Sequence, residues 1–217
     1  MRVLTWNLFH GRAEQPRGRS LQPEFTAALA SWPWDVALLQ EVPPWWPEDL
    51  GRACGASARS TRTSRNSIAP LRWLARLQPD LVKSWGGGCN AILVRGQAIA
   101  EHRAHTLRLR PERRVVHAVR LGDLWIANLH AQVRPQAAAR ADIARAAEAL
   151  QGWAGDGPRL LGGDFNVSDP VVPGLRDAGG HGIDRVLVHG FDPVGRELPD
   201  RRGLSDHAPV IVELRPC

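Results

Sequence analysis

The chain has 217 residues, of which 43% are hydrophobic and 23% charged. That balance excludes a disordered polyelectrolyte and fits one sizeable domain over residues 1–217. The formal net charge of +6 rests almost wholly on arginine, since Lys83 is the only lysine; this suits bidentate phosphate contacts and a polyanionic partner such as nucleic acid, although a coding bias toward arginine gives the same composition.

Along the chain, Arg2–Asn7 reads as a short strand and Pro23–Ser31 has helical spacing of Phe25, Ala28 and Leu29. Val36–Gln40 is an apolar run ending at Glu41, a buried strand. The polar stretch Gly55–Pro70 is expected to be a mobile loop, and Leu71–Leu77 a short helix. Gly86-Gly87-Gly88 breaks the chain before a strand at Cys89–Arg95. Strands are predicted at Ile99–Leu109, Arg114–Leu121 and Leu124–His130, with a hairpin at Leu121-Gly122-Asp123-Leu124. Alanine-rich Arg134–Trp153 is the clearest helix. Arg159–Gly163 is a strand ending at Asp164, and Ile183–Val188 and Pro209–Leu214 are the last two.

No run reaches the roughly 18 apolar residues of a spanning helix, and Met1–Asn7 lacks the apolar core of a secretory signal. Cys54, Cys89 and Cys217 are an odd set with no metal-site spacing. A cytoplasmic, monomeric protein with reduced thiols and no stable membrane association is expected.

A pattern recurs at the strand ends. Asn7, Glu41, Asn128-Leu129-His130 and Asp164-Phe165-Asn166 each follow an apolar run, and Ser205-Asp206-His207 leads into the last one. On an extended chain, residues two apart share a face. Asp164 and Asn166 are therefore expected to project together with Phe165 packed oppositely, and Asn128 to share a face with His130. Gly162-Gly163 permits a tight turn or close approach of a ligand. One polar residue at a strand end is an ordinary cap; five such motifs argue for a catalytic rim.

Thr5-Trp6-Asn7, Leu39-Gln40-Glu41, Gly88-Cys89-Asn90-Ala91-Ile92-Leu93, Asn128-Leu129-His130, Gly163-Asp164-Phe165-Asn166, Ile183-Asp184 and Ser205-Asp206-His207-Ala208-Pro209-Val210 occur in the order found in the endonuclease/exonuclease/phosphatase superfamily, which the chain resembles from residue 5 to about residue 213. The resemblance implies an α/β fold, a four-layer α/β/β/α sandwich of two packed mixed sheets, and a Mg2+-dependent phosphodiesterase in which Mn2+ can substitute. Glu41, with Asn7 and Asp206, is the expected metal side. His130, Asp164, Asn166, Asp184 and His207 are the expected catalytic set: Asp164 activates water, Asn166 contacts the phosphate or orients that water, and Asp184 orients His207. Asn90, Asn128 and Arg185 are expected substrate contacts. Arg185 stands where relatives often carry an aromatic residue or a histidine.

The absence of tyrosine disfavours the abasic-site endonuclease branch. Nuclease action on DNA or RNA is the first reading, with nucleic acid as the expected partner. A phosphatase or sphingomyelinase-like phosphodiesterase is the alternative. A binding protein without catalysis is the third reading, and the intact polar set argues against it. Trp32, Trp34, Trp45 and Trp46 flank Glu41 and are expected to cover a core more than to contact a ligand. Two basic stretches, Arg59/Arg62/Arg65 and Arg108–Arg114, suit a phosphate track or a solvated surface.

Overall fold

A computed structural model describes residues 1–64 and 69–217. Among the described residues, twelve strands form two six-stranded sheets. The first contains β1 (Arg2–Asn7), β2 (Val36–Val42), β3 (Ala56–Arg62), β4 (Cys89–Arg95), β11 (Phe191–Glu197) and β12 (Val210–Pro216), in the order β11-β12-β1-β2-β4-β3. The second contains β5 (Glu101–Arg108), β6 (Arg114–Leu121), β7 (Leu124–His130), β8 (Arg159–Asp164), β9 (Arg176–His181) and β10 (Asp184–His189), in the order β5-β6-β7-β8-β10-β9. Both sheets are mixed: β1 runs parallel to β2, and β7 to β8.

Side-chain alternation sorts the apolar residues into three cores. Val3, Val36, Leu38 and Ile92 meet Val119, Ile126, Leu160 and Val186 between the sheets. The outer face of the first sheet is covered by α1 (Gln22–Ser31) and α2 (Pro47–Ala53), which bring Phe25, Leu29 and Leu50 onto Trp6 and Leu39. The outer face of the second is covered by α5 (Gln136–Ala154), through Ala139, Ile143, Ala146 and Leu150. The result is the four-layer α/β/β/α sandwich. Two further helices, α3 (Ala69–Leu77) and α4 (Pro79–Val82), lie ahead of β4. Trp32, Trp34 and Trp46 are buried in the first outer core and Trp45 packs against it partly buried, with the Trp6 ring tilted 5.0 Å from Phe25 and 5.1 Å from Trp32; the covering role holds for the three buried ones.

Three expectations need correction. Gly55–Pro70 is not a loop throughout: Ala56–Arg62 pairs antiparallel with β4 as an edge strand. Its polar side chains stay half in solvent, which is why it reads as a loop. Arg65 lies outside the described residues. Ile183–Val188 and Pro209–Leu214 are not the only late strands, because β9 and β11 flank them; Gly179-Gly180 and Pro193 hide these two edge strands from a propensity reading. Finally, α5 starts at Gln136, not Arg134, since a residue before proline is pushed toward extended backbone.

Candidate active site

The polar ends of the inner faces converge at one rim of the sandwich. Asp164 closes β8 and is buried between the sheets. Its Oδ2 accepts a hydrogen bond from Asn7 Nδ2 at 3.0 Å, across from the first sheet. The same oxygen lies 3.5 Å from His130 Nε2 and 3.8 Å from His207 Nε2. Four chain segments thus meet at one carboxylate oxygen.

His207 is held on every side. Its Nδ1 shares a hydrogen bond with Asp184 Oδ2 at 2.8 Å, and its backbone amide donates to Ser205 Oγ at 3.1 Å. Ser205, itself at φ +58°, donates its hydroxyl to the Asn7 carbonyl at 2.6 Å, while Trp6 Nε1 donates to the His207 carbonyl at 3.0 Å. The turn that presents His207 is therefore tied to the end of β1. Burial alone would lower the His207 pKa, but the hydrogen bond and charge of Asp184, with Asp164 and Asp206, push it up to about 9. The ring stays cationic at neutral pH. Burial, and then the charge of Asp184, push the Asp164 carboxyl upward. His130 is driven well down, first by burial and then by Arg114, so it is neutral.

Glu41 is presented by a bulge. The β2–β4 register shifts between Leu39 and Val42, and Glu41 adopts φ +50°. Its Oε2 pairs with His10 Nε2 at 3.1 Å and its Oε1 lies 4.0 Å from His130 Nε2. Asp206 is half exposed, with Oδ1 4.0 Å from His207 Nε2. Asn7 uses its amide on Asp164 and its carbonyl on the Phe9 backbone amide.

Glu41, Asp164, Asp184 and Asp206 bring four carboxylates to this rim, and Asp184 Oδ1 is buried without a hydrogen-bond partner. An excess of oxygen donors over cations fits a hard divalent ion. Potential ligand atoms of Asp164, Asp184 and His207 all lie within 4.8 Å of one another. Within this group, Asp184 and His207 already share a proton, so a cation is better served by the Glu41 side.

Asn166 is placed differently from the alternation argument. Phe165 does pack into the α5 core, but Asn166 sits at φ +52°. Its backbone amide donates to Asp164 Oδ1 at 3.0 Å and its Nδ2 to the Ala131 carbonyl at 3.1 Å. The extended chain ends at Asp164 and a turn follows.

All three expected substrate contacts are engaged within the protein. Asn128 does share the inner face of β7 with His130, but one step deeper, where it is enclosed. Its Nδ2 donates to the Leu39 and Ala91 carbonyls, both at 2.9 Å, and its Oδ1 accepts from Gln40 Nε2 at 2.8 Å. It braces the bulge that carries Glu41. Asn90 faces the space between the sheets and is likewise buried, reaching the Val115 carbonyl. Arg185 points to the opposite face of β10 from Asp184 and is ion-paired with Asp177. The glycines also serve packing and not a ligand: a Cβ on Gly163 would sit 1.9 Å from the Leu129 carbonyl oxygen, and one on Gly162 2.5 Å from Leu38.

One site residue, His10, escapes sequence reading, and a second, Arg114, is legible there only as the end of the basic stretch Arg108–Arg114. His10 follows β1 in a tight turn at φ +55° and meets Glu41; only its position three residues after Asn7 signals it. Arg114 begins β6, is buried, and is ion-paired with Glu112. Both line a small polar cavity of about 140 Å3 shared with Glu41, His130 and Ser84.

Residues 4–207 match the model of the Endonuclease/Exonuclease/phosphatase family. No curated protein sequence matches the chain. The fold is similar to an endonuclease/exonuclease/phosphatase from Beutenbergia cavernae DSM 12333 (TM-score 0.76, 19% identity, 100% of this chain and 71% of that one). It is similar to the mannosyl-6-phosphatase Bt3783 of Bacteroides thetaiotaomicron VPI-5482 (TM-score 0.70, 18% identity, 99% of each chain). It is also similar to D. rerio TDP2 complexed with a single-strand DNA product (TM-score 0.71, 14% identity, 99% and 98%). At these identities the likeness is one of fold.

Proposed function

Because this chain belongs to the endonuclease/exonuclease/phosphatase family of phosphoesterases, we propose that it is a Mg2+-dependent phosphodiesterase, with DNA or RNA as its first substrate class. The observation that carries the reading is the meeting of Asn7, His130 and His207 on Asp164 Oδ2. Magnesium, or manganese in its place, held by Glu41 with Asn7 and Asp206, would supply positive charge to the phosphoryl oxygens.

The protein side chains do the rest. His207, kept protonated by Asp184, donates a charge-assisted hydrogen bond to a non-bridging phosphoryl oxygen. Asp164, whose affinity for a proton is raised by burial, takes the proton of the attacking water. Asn7 holds the Asp164 carboxylate in the orientation that water needs. His130, buried and neutral, retains a ring nitrogen to hydrogen-bond the phosphate or the leaving oxygen. Asn166, anchored to Ala131 and Asp164, orients the water.

A second reading, hydrolysis of a lipid or small phosphoester, draws support from the apolar surface beside the cavity: Leu81 and Trp85 are exposed close to cavity-lining Ser84. The test is a panel of plasmid DNA, single-stranded DNA, RNA, sphingomyelin, phosphoinositide and a generic phosphodiester, each with magnesium, manganese or chelator. Glu41→Ala and His207→Ala are expected to lose about 10²-fold or more in kcat with the fold intact. Wild-type turnover by Glu41→Ala at limiting magnesium would overturn the metal assignment. Activity confined to lipid micelles would move the substrate to the second reading.

A further inference from the structure

We propose that the segment from α3 to the turn after α4 docks on an anionic lipid surface, with the catalytic cavity facing the same interface. Four large apolar side chains stand in water here: Trp73 (64% exposed), Leu77 (51%), Leu81 (69%) and Trp85 (60%). They recur every four residues. Within α3 that spacing puts Trp73 and Leu77 on one helical face, while Ala75 is buried. Gly86 closes the turn against Ala75, where a Cβ would sit only 2.6 Å from the alanine methyl. The packing is thus satisfied from the small-residue side, and the large residues are left over.

Charge tells what covers them. Arg72, Arg76 and Lys83 lie on the same segment, and Arg62 joins Arg72, Arg76, Trp45 and Trp73 around one groove. Among the described residues, no carboxylate pairs with Arg72, Arg76 or Lys83. The segment's one acid, Asp80, is engaged elsewhere, accepting the backbone amides of Arg17 and Gly18 at 2.9 and 2.8 Å. Tryptophan and leucine set among cations that lack a carboxylate partner are the composition of a helix lying in a lipid headgroup region, where indoles and guanidinium stems bridge apolar and wet layers. A single-stranded nucleic acid would use the tryptophans for stacking but has no use for exposed Leu77 and Leu81. Ser84 lines the cavity beside Glu41, and Trp85 next to it is exposed, so docking would bring the cavity to the lipid surface. The surface is defined independently of which phosphoester the site cleaves.

The experiment is co-sedimentation of the full chain, carrying His207→Ala to prevent turnover, with phosphatidylcholine vesicles with and without phosphatidylserine at about a third of the lipid. Pelleting with the anionic vesicles alone is expected. The triple variant Trp73→Ser/Leu77→Ser/Trp85→Ser should weaken it at least tenfold, and Arg72→Gln and Arg76→Gln about fivefold each. Placed in the chain that keeps His207, the same surface substitutions should leave hydrolysis of a soluble phosphodiester unchanged, and their melting temperature should match that of the chain without them. Failure of the parent protein to pellet with anionic vesicles overturns the proposal. So does equal binding by the triple variant. Loss of oligonucleotide binding in that variant without any vesicle binding by the parent would reassign the surface to nucleic acid.

Discussion

His117 shows what a single buried residue does to the whole chain's response to acid. It lies inside the second sheet opposite Asn128, with Nδ1 3.1 Å from His102 Nε2 and its other nitrogen unpartnered. Burial, and then the charge of His102, push its pKa down to about 3. Above pH 6.5 the imidazole is neutral in folded and unfolded chains and pH changes nothing. Between pH 6.5 and 3 the unfolded chain takes up a proton that the folded one refuses, so stability falls with pH by about 1.4 kcal/mol per unit. His117→Gln removes that term. The stability gap between wild type and variant, read from urea titrations, is expected to shift against the wild type by about 2 kcal/mol from pH 7 to pH 5. A gap independent of pH would remove His117 as the responsible group.

At the scale of elements, the site depends on a bulge that one sheet makes and the other braces. The β2–β4 register shift frees the Leu39 and Ala91 carbonyls, and Asn128 satisfies both. Asn128→Ala leaves these acceptors buried and unpaired, so a loss of about 3 kcal/mol is expected, together with weaker hydrolysis because Glu41 rides on the same bulge. Unchanged melting would show that the brace is dispensable. This device also explains what sequence can and cannot disclose. Apolar runs ending in Asn7, Glu41 and Asp164 are readable because alternation and burial act locally. The deeper role of Asn128 is not, because its partners lie 37 and 89 residues away. The edge strands β3, β9 and β11 are carried by pairing and not by their own propensity, so polar and glycine-rich stretches conceal them. His10 is brought to Glu41 by a left-handed turn that no periodicity announces.

For the whole molecule, two sheets that share one inner core should unfold together, and the rim where they meet is where their charges conflict. Glu41 and Asp206 join the buried Asp164 and Asp184, with Asp184 Oδ1 lacking a partner. Folding therefore gathers like charge that a divalent cation would relieve, and an ion that binds only the folded chain stabilises it by mass action. At a hundredfold excess over its dissociation constant the gain is about 2.7 kcal/mol. For a chain of this length that corresponds to a rise of roughly 5–10 °C in Tm. Scanning calorimetry is expected to give one transition that moves upward with magnesium and returns with chelator, whereas Glu41→Ala should hold one Tm throughout. If Glu41→Ala shifted as much as the wild type, the cation would have to sit nearer Asp164 and Asp184 than Glu41.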